Sequence, residues 1–309
     1  GSEDAPGTVL QHYPFIIHLH QPERRGKYAA IKRAMLQVKT PIVVFSDANS
    51  MLNPGCLKKI VSHFTDPRTG GVAGEKKINQ GPGTSAVGKA EGLYWQYESL
   101  MKRLDARFYS VVGAAGELFS IRTELFRPLD DQVILDDFIT SMFVCLQGYR
   151  IAYEPGAYAT EQASASLAEE QKRKIRISAG AYQSVGYLKK CLNLFRHPLT
   201  GFQYISRRLL RWVVCPLLLP VLFISNGWLL TRAPGFPFYL VFFAGQTGFY
   251  LLALTGWLKM RAGQPAGLFT IPFYFVFMNY CLARGFLLFA ANKHTVLWEK
   301  SLRHASGQS

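Results

Sequence analysis

The hydrophobic pattern divides the chain into two parts. Up to about residue 205 charged positions interrupt the apolar ones, and beyond it lie three uncharged runs, at 212–230, 233–258 and 262–283. These runs are 19, 26 and 22 residues long, and about 20 apolar residues are enough for a helix to cross a bilayer. The pattern therefore predicts a soluble domain followed by a helical membrane region.

Within the soluble part, some segments show helical spacing of apolar residues and others are short continuous apolar runs. A helix is predicted from Gly88 to Leu104, and its expected core face consists of Leu93, Tyr97, Leu100 and Leu104. Further helices are predicted to begin at Lys27, at an Asn53-Pro54 cap and at Asp136. Strands are predicted at 41–45, 71–75, 133–135 and 149–153. Because helices alternate with strands, we predict an α/β domain with a mostly parallel sheet.

The run from Pro41 to Phe45 ends in a polar turn that contains Asp47 and Asn49. A continuous apolar run bounded by a turn is typical of a buried parallel strand. Ligands of open α/β sheets lie beyond the carboxyl ends of such strands, and the oxygens of Asp47 and Asn49 suit a hard cation. The same residues also favour an ordinary turn, and the segment alone supports both interpretations equally.

Two further groups of charged residues are candidates for chemistry. Asp136 and Asp137 open a predicted helix, whose dipole favours carboxylates, and their mutual repulsion raises one pKa, as suits a general base. Helix capping is the alternative. Arg173 and Arg176 share a predicted helix face and match a pyrophosphate, whereas Lys174 is predicted to point away from them. A solvated basic face or a membrane-surface anchor is the alternative for this group.

Charge and cysteine content narrow the class of protein. The net charge is +15, yet 25 of the 35 basic and 19 of the 20 acidic residues lie before residue 206. The basic excess therefore belongs to the membrane region and predicts topology and lipid headgroup contact. A basic stripe with interleaved aromatic residues is missing from the soluble part, so we expect no nucleic-acid partner. The five cysteines form no C-x-x-C pair, which argues against a zinc site and fits a reducing cytoplasm.

Several short motifs follow one another in a fixed order. They are GK at 26–27, DAN at 47–49, GE at 74–75, YWQYE at 94–98, GAAG at 113–116, DDF at 136–138 and R-x-x-R-I at 173–177. This order, followed by membrane helices, resembles the membrane-bound inverting family 2 glycosyltransferases, which include the cellulose, hyaluronan and poly-N-acetylglucosamine synthases. The resemblance implies a GT-A-type (Rossmann-like) nucleotide-sugar-binding domain followed by transmembrane helices.

The resemblance also implies roles for individual residues. Asp137 matches the catalytic base, and Gly116 matches the glycine turn beside the acceptor. Asp47 and Asn49 match the element that binds the donor diphosphate through Mg2+ or Mn2+. The other donor-binding residues that the resemblance implies are Lys27, Asp136, Arg173 and Arg176.

This chain departs from the family pattern at three of these positions. Asn49 stands where the family has an Asp, Asp136 where Glu is usual, and Ile177 where Trp is frequent. Asn49 is neutral and is therefore expected to be a weaker metal ligand. The stretch Gly1-Ser2-Glu3-Asp4 resembles the end of the family's D-G-S-x-D turn, so the resemblance implies that the first strands of the fold precede it.

The implied reaction is a single in-line displacement at a membrane. Asp137 takes the proton of an acceptor hydroxyl, which attacks the anomeric carbon of a nucleotide sugar that we expect to be UDP-linked. An α-linked donor would then yield a β-linked polysaccharide or glycan. Two alternatives stay open: transfer of a single sugar to a polyprenyl phosphate or other lipid, and a non-catalytic membrane subunit.

The predicted regions are a cytoplasmic catalytic domain at 1–190, an interfacial amphipathic segment at 191–211, transmembrane helices at 212–292 and a tail at 293–309. The basic residues of the amphipathic segment predict that it faces the cytoplasm, at the plasma (inner) membrane. Three spans would leave the tail outside, whereas Lys293, Lys300 and Arg303 predict a cytoplasmic tail. We therefore expect one apolar run to be re-entrant or to lie in the interface.

Overall fold

The computed structural model describes residues 6–79, 86–164, 166–232, 237–293 and 295. The stretch Gly1 to Asp4, which resembles the end of a turn, lies outside the described residues, and so do Lys300 and Arg303 of the tail.

The described residues form one sheet surrounded by helices, and long apolar helices follow. The strands are β1 (Ile42–Phe45), β2 (Met51–Leu52), β3 (Thr69–Asn79), β4 (Phe119–Arg122) and β5 (Arg150–Gln162). The first helices are α1 (Pro6–Leu10), α2 (Lys27–Met35), α3 (Cys56–Ser62), α4 (Ala86–Phe108) and α5 (Asp136–Leu146). The later ones are α6 (Leu167–Tyr187), α7 (Pro198–Tyr204), a π-helical segment (Ile205–Val214), α8 (Cys215–Arg232), α9 (Pro237–Arg261) and α10 (Thr270–Ala290). Short 3-10 helices are His63–Thr65, Thr123–Leu125, Lys189–Leu192 and Gly267–Phe269.

The sheet is mixed, with the strand order β1-β4-β3-β5-β2. Strands β3 and β5 pair parallel, whereas β1 with β4, β4 with β3, and β5 with β2 pair antiparallel. The predicted mostly parallel sheet is therefore wrong for the described strands, although the predicted helices at Lys27, 88–104 and Asp136 are confirmed.

Strand β4 is antiparallel to its neighbours β1 and β3. The segment that precedes it, 111–118, runs in the same direction as β3, so β4 returns in the opposite direction. The Val111 N–H donates to the Ile151 carbonyl at 3.0 Å, at the start of β5, and the Leu118 carbonyl accepts from the Gly74 N–H at 3.0 Å, further along β3. The segment 111–118 thus ends beside the last residue of β1, level with Ala73 of β3, and β4 must return from there. The side chains that follow β1 and those that precede β4 consequently share one edge of the sheet.

The apolar segment Val133–Leu135, predicted as a strand, is a loop. The backbone and the side chains of this segment contact α6 and not the sheet. The Ile134 N–H donates to Gln183 Oε1 at 3.0 Å, and Gln183 Nε2 donates to the Gln132 carbonyl at 2.8 Å. Hydrogen bonds to a helix side chain therefore replace the expected strand pairing.

The predicted Asn53-Pro54 helix cap is also wrong. Helix α3 begins later, at Cys56, after Gly55 in a left-handed conformation with φ of 75°, which glycine adopts at little cost. Asn53 instead contacts β5: its Nδ2 donates to the Gly156 carbonyl at 3.1 Å, and its Oδ1 accepts from the Tyr158 N–H at 2.7 Å.

Helix α4 inverts the amphipathic pattern that the sequence predicts. Its expected core residues are 47–51% exposed: Leu93, Tyr97, Leu100 and Leu104. Four charged residues are buried in their place: Glu91, Glu98, Lys102 and Asp105. The π-helical segment explains two of them, because Arg207 lies 2.8 Å from Glu98 and 3.2 Å from Asp105. Arg211 adds a bond of 2.6 Å to Glu98, so the α4 acids are buried with their counter-charges.

Three helices of the described chain are long and apolar enough to cross a membrane: Pro198–Arg232, Pro237–Arg261 and Gly267–Ala290. The first two segments are largely exposed, since 0% and 6% of their most apolar windows are buried, whereas 33% is buried in the third. Helices α8 and α9 pack antiparallel, with Phe223 stacked on Phe243 at 5.0 Å and Gln246 Nε2 donating to the Leu219 carbonyl.

Helix α10 packs along α6 of the soluble domain in a parallel direction. Near its beginning, the Tyr274 hydroxyl donates to Glu170 Oε1 at 3.0 Å. Near its end, the ring of Phe286 lies 5.2 Å from that of Tyr182. Between these points Gly285 lies directly against Ser178, with no room for a Cβ atom. The third apolar helix thus packs in part against a helix of the sheet-containing region.

Candidate active site

The candidate site lies at the edge of the sheet where β1 ends and β4 begins, and Gly116 lies at its centre. A Cβ atom added to Gly116 would lie 2.7 Å from Lys27 Nζ, 3.2 Å from Asp137 Oδ2 and 3.5 Å from Asp47 Oδ2. Four residues selected from the sequence therefore converge, from the start of α2, the turn after β1, the loop before β4 and the start of α5. Glycine at this point leaves the space between the three side chains open, as close approach of a ligand requires.

Lys27 and Asp47 form an ion pair at one side of this space. Lys27 Nζ donates to Asp47 Oδ1 at 2.5 Å, and the two side chains are 32% and 24% exposed. Burial lowers the pKa of Lys27, but the carboxylates of Asp136, Asp137 and Asp47 outweigh burial and raise it overall. Lys27 therefore stays charged, and all three acids of the site lie within its electrostatic range.

Asp136 and Asp137 begin α5 on the other side. Asp136 is buried, and Asp137 is half-buried with its Oδ1 accepting from the Phe138 N–H at 2.8 Å. Burial, and then the charge of Asp136, raise the pKa of Asp137 to about 7. Burial also raises the pKa of Asp136, although Lys27 opposes this effect. Asp137 is thus near half-ionisation at neutral pH, which is the condition for an efficient general base.

The two arginines of α6 have different surroundings. Burial lowers the pKa of Arg176, and Asp136 and Asp137 oppose that effect, so its guanidinium lies within electrostatic range of the site. Arg173 instead bonds to Glu91 and, at 2.8 Å, to Glu170 Oε2. The structure therefore brings Arg176 to the carboxylates and places Arg173 with two other acids.

Lys174, predicted to point away from Arg173 and Arg176, is buried. Its Nζ lies 3.6 Å from Glu170 Oε1 and 4.3 Å from the centroid of the Tyr94 ring. Its burial depends on α4, which the helical spacing of α6 alone does not reveal.

Asn49 lies exposed in the turn after β1, which the Ser50 N–H closes by donating to the Asp47 carbonyl at 3.0 Å. Across the described ranges, no group of three or more His, Cys, Asp or Glu side chains is arranged to hold a metal ion. One carboxylate and one amide oxygen nevertheless fit Mg2+ or Mn2+, because such ions are commonly bound by one or two carboxylates and completed by substrate phosphates. Asp47 and Asn49 thus suit a cation that is bound together with a diphosphate.

A buried ion cluster supports the site and was not found from the sequence. Lys76 Nζ pairs with Glu117 and, at 2.8 Å, with Glu161 Oε2, while Ser50 Oγ donates to Glu161 Oε1 at 2.8 Å. Burial lowers the pKa of Lys76, but the two glutamates outweigh burial and raise it. The cluster links the turn that follows Asn49 to the residue that follows Gly116. Glu117 and Glu161 lie 41 and 85 positions after Lys76. The one feature of the sequence that could have indicated the cluster was the acidic residue directly after GAAG.

Comparison with known proteins bears on the family and the fold. The family described as Glycosyltransferase like family 2 matches residues 9–180. The Poly-beta-1,6-N-acetyl-D-glucosamine synthase of Staphylococcus aureus (strain COL) is 26% identical over 170 residues, which are 52% of this chain and 40% of that protein. The same enzyme from strain N315 matches to the same extent. The chain thus matches about two fifths of the length of these curated relatives.

A solved structure shares the fold. The mannosyltransferase PcManGT from Pyrobaculum calidifontis, in complex with GDP-Man and Mn2+, superposes with a TM-score of 0.66 over 95% of this chain and 76% of its own, at 19% sequence identity. This match confirms the predicted GT-A-type domain followed by apolar helices. Because the family match spans more than half of the residues, the chain belongs to glycosyltransferase-like family 2.

Proposed function

We propose that this chain transfers a sugar from a nucleotide-sugar donor to a glycan or lipid-linked acceptor at the membrane, with inversion at the anomeric carbon. The observation that supports this proposal most strongly is the convergence of Asp137, Lys27 and Asp47 around Gly116. A carboxylate that can accept a proton lies next to charges that can stabilise a departing diphosphate. Displacement of a diphosphate by a hydroxyl needs both.

Asp137 acts as the general base. It accepts the proton of the acceptor hydroxyl while the hydroxyl oxygen forms a bond to the anomeric carbon. The bond from that carbon to the diphosphate oxygen breaks, and its electron pair leaves with the diphosphate. One base and one displacement, with attack from the face opposite the leaving group, invert the configuration, so an α-linked donor gives a β-linked product.

Lys27 and Arg176 bind the leaving diphosphate. Both are cations held in fixed positions beside the carboxylates, so their stabilisation of developing charge needs little reorganisation during the reaction. Asp47 and Asn49 would hold Mg2+ or Mn2+, which supplies further charge neutralisation at the diphosphate when bound. The Mn2+ in the solved mannosyltransferase complex supports this choice of metal.

The proposal extends to the identity of the nucleotide in the donor. The likeness to the synthases of family 2 favours a UDP-linked sugar, whereas the solved mannosyltransferase was crystallised with GDP-Man. Competition between UDP and GDP for the donor site distinguishes a UDP-linked donor from a GDP-linked one. Equal displacement of a labelled donor by both nucleotides would contradict UDP specificity.

Transfer of a single sugar to a lipid-linked acceptor is the second candidate, and the surroundings of Arg173 favour it. Arg173 is engaged by Glu91 and Glu170, so Arg176 is the arginine of the R-x-x-R element that lies within electrostatic range of the site's carboxylates. The length of the product separates the two candidates.

We also propose that α8 and α9 cross the membrane as a hairpin and that α10 lies in the interface. The antiparallel packing of α8 on α9 and the parallel packing of α10 on α6 support this arrangement. Two crossings keep the catalytic domain and Lys293 on one side, the cytoplasmic one, which removes the conflict between three spans and a basic tail.

The test uses the chain reconstituted in lipid nanodiscs with Mn2+, UDP- and GDP-sugars and membrane lipid extract as acceptor. We expect release of one nucleoside diphosphate per sugar transferred, and a β-linkage in the product by NMR. An α-linked product from an α-linked donor would contradict inversion, and no transfer from any donor would contradict the proposed activity.

A further inference from the structure

The outer face of α4 is apolar and exposed along most of the helix. We define the apolar stripe as Leu93, Tyr97, Leu100, Leu104 and Phe108, which are 47–56% exposed. These residues recur every three or four positions and so lie along one side of the helix. Four turns of a helix separate the first from the last, roughly 22 Å at 1.5 Å per residue. A soluble domain rarely leaves an apolar strip of this length in contact with water.

The stripe continues onto the segment that leads into the membrane. The ring of Phe108 lies 5.8 Å from that of Phe202 on α7, which is itself 55% exposed. Phe195, shortly before α7, is fully exposed. The exposed apolar surface is therefore shared by α4 and the chain immediately before the first membrane helix.

Both ends of the α8–α9 hairpin reach α4. Arg211, four residues before α8, bonds to Glu98 of α4 at 2.6 Å. Met260, at the end of α9, belongs to the same buried cluster as Val87 and Ala90 of α4. Since α8 enters and α9 leaves the membrane beside this helix, α4 lies at the level of the membrane boundary.

On α4 the acidic residues are buried and the exposed charged residues are basic, as contact with an anionic surface requires. All three of its acids are buried: Glu91, Glu98 and Asp105. The exposed charged residues are all basic: Lys89, Arg103 and Arg107. An exposed face with an apolar stripe, basic flanks and no acid is the composition of a helix that lies in a bilayer interface.

We propose that α4 is an in-plane membrane anchor of the catalytic domain, with the apolar stripe among the upper acyl-chain carbons and its basic flanks at anionic headgroups. The continuity of the stripe with Phe202 of α7, which leads into the first apolar helix, and the contacts of the buried side of α4 with Arg211 and Met260 select the bilayer over a second copy of the chain or a protein partner. The anchor would hold the donor site at a fixed height above the membrane, because α4 carries Trp95 against Lys76 and Lys76 pairs with the residue after Gly116.

The test places an environment-sensitive fluorophore (NBD) on single cysteines of the full chain. Cys215 is the exposed cysteine and is replaced by Ser, while the other four are buried. Leu100→Cys reports on the stripe, and Lys58→Cys, at an exposed position on α3, is the control. Both positions are exposed, so neither change should disturb folding. The protein is reconstituted into phosphatidylcholine vesicles with and without phosphatidylglycerol and with doxyl-labelled lipids.

We expect the label at position 100 to emit at shorter wavelength, to be quenched by doxyl lipids and to be shielded from iodide, and the label at position 58 to show the reverse. Equal iodide quenching at both positions would overturn the proposal. Shielding at position 100 without quenching by lipid, and lost on dilution of protein in lipid, would identify a second copy and would also overturn it. Replacing Lys89, Arg103 and Arg107 together by Gln should reduce lipid quenching only in vesicles with phosphatidylglycerol, and an equal reduction in both vesicles would reject the headgroup contact.

Discussion

Helices α5 and α4 differ in whether their buried side consists of apolar or of charged residues. Helix α5 buries apolar residues such as Phe138 and Ile139, and its two carboxylates lie at its first turn, where they face the site. Helix α4 buries Glu98 and exposes Leu100. The difference follows from the neighbours: α5 packs against the domain core, whereas α4 packs against arginines that lead into the membrane. An amphipathic pattern therefore indicates which faces differ but not which of them is buried.

The buried carboxylates of the two helices also differ in their partners. Glu98 is compensated by several arginines, which hold its pKa well below the usual range against the effect of burial. Asp137 has a like charge beside it, and its pKa rises to about 7. The first arrangement fixes structure, and the second prepares a group for proton transfer.

The largest expected effect is on the rate. Asp137→Asn should lower turnover by about 10²–10⁴-fold, because general base catalysis contributes that much, while donor affinity should stay nearly unchanged. Asp136→Asn is the matched control, since it removes the same charge one residue earlier and should affect the rate less. Turnover and nucleotide affinity per folded molecule are the quantities to measure. Equal rates in Asp137→Asn and the wild type would remove the base from the mechanism.

The same variant makes a prediction about stability. The pKa of Asp137 is raised from 3.8 to about 7 on folding, so the folded state binds its proton more tightly than the unfolded state does. The resulting stabilisation is complete below about pH 4 and is lost as the pH rises through 7. Asp137→Asn should therefore melt at a higher temperature than the wild type at pH 8 and show a smaller difference at pH 5. A variant that is less stable at pH 8 would indicate helix capping as the role of this residue.

The next effect concerns the buried charges of α4. Glu98→Gln removes the carboxylate that Arg211 bonds to and leaves Arg207 with Asp105 alone, and it should lower the free energy of unfolding by about 3–5 kcal/mol. Glu23→Gln is the control, because its pair with Arg25 is exposed, with side chains 77% and 63% accessible, and it should change nothing measurable. Chemical denaturation in mild detergent measures both. If Glu98→Gln were as mild as the control, the buried network would not stabilise α4.

A smaller effect is expected at the donor site. Arg176→Ala should weaken nucleotide binding by about 1.5–3 kcal/mol, the contribution of a hydrogen bond to a charged group. Lys172→Ala is a suitable control because its side chain is 67% exposed, whereas Lys174 is buried and unsuitable. Titration of the nucleoside diphosphate by calorimetry measures the difference. Similar small losses at both positions would favour a solvated basic face for α6.

The local structure around two of the candidate site residues was predictable from the sequence. Asp47 follows a strand and Asp137 begins a helix, and both features can be recognised within a few positions. The ion cluster of Lys76 with Glu117 and Glu161 was not predictable, because its members meet only in the folded sheet. The burial of α4 was predicted on the wrong face for a related reason. Helical spacing reports that two faces differ, while the neighbours that decide burial come from distant parts of the chain.

The direction of strands failed as a prediction because it depends on the path between them. The short loop at 111–118 reverses β4, and nothing in its composition indicates that path. The same loop carries Gly116 to the edge where β1 ends, so the feature that made the sheet prediction wrong is the one that assembles the site.

The central claim is that Asp137 is a general base whose pKa is set by burial and by Asp136. The measurement that tests it most directly is the pH dependence of kcat/KM for the donor, in the wild type and in Asp136→Asn. Because protonated Asp137 cannot accept the acceptor's proton, the rate should rise about tenfold per pH unit at acidic pH and level off above about pH 7. Removing the charge of Asp136 should move this inflection to lower pH. A rate that is the same at pH 6 and pH 8, or an inflection unmoved in Asp136→Asn, would contradict the account.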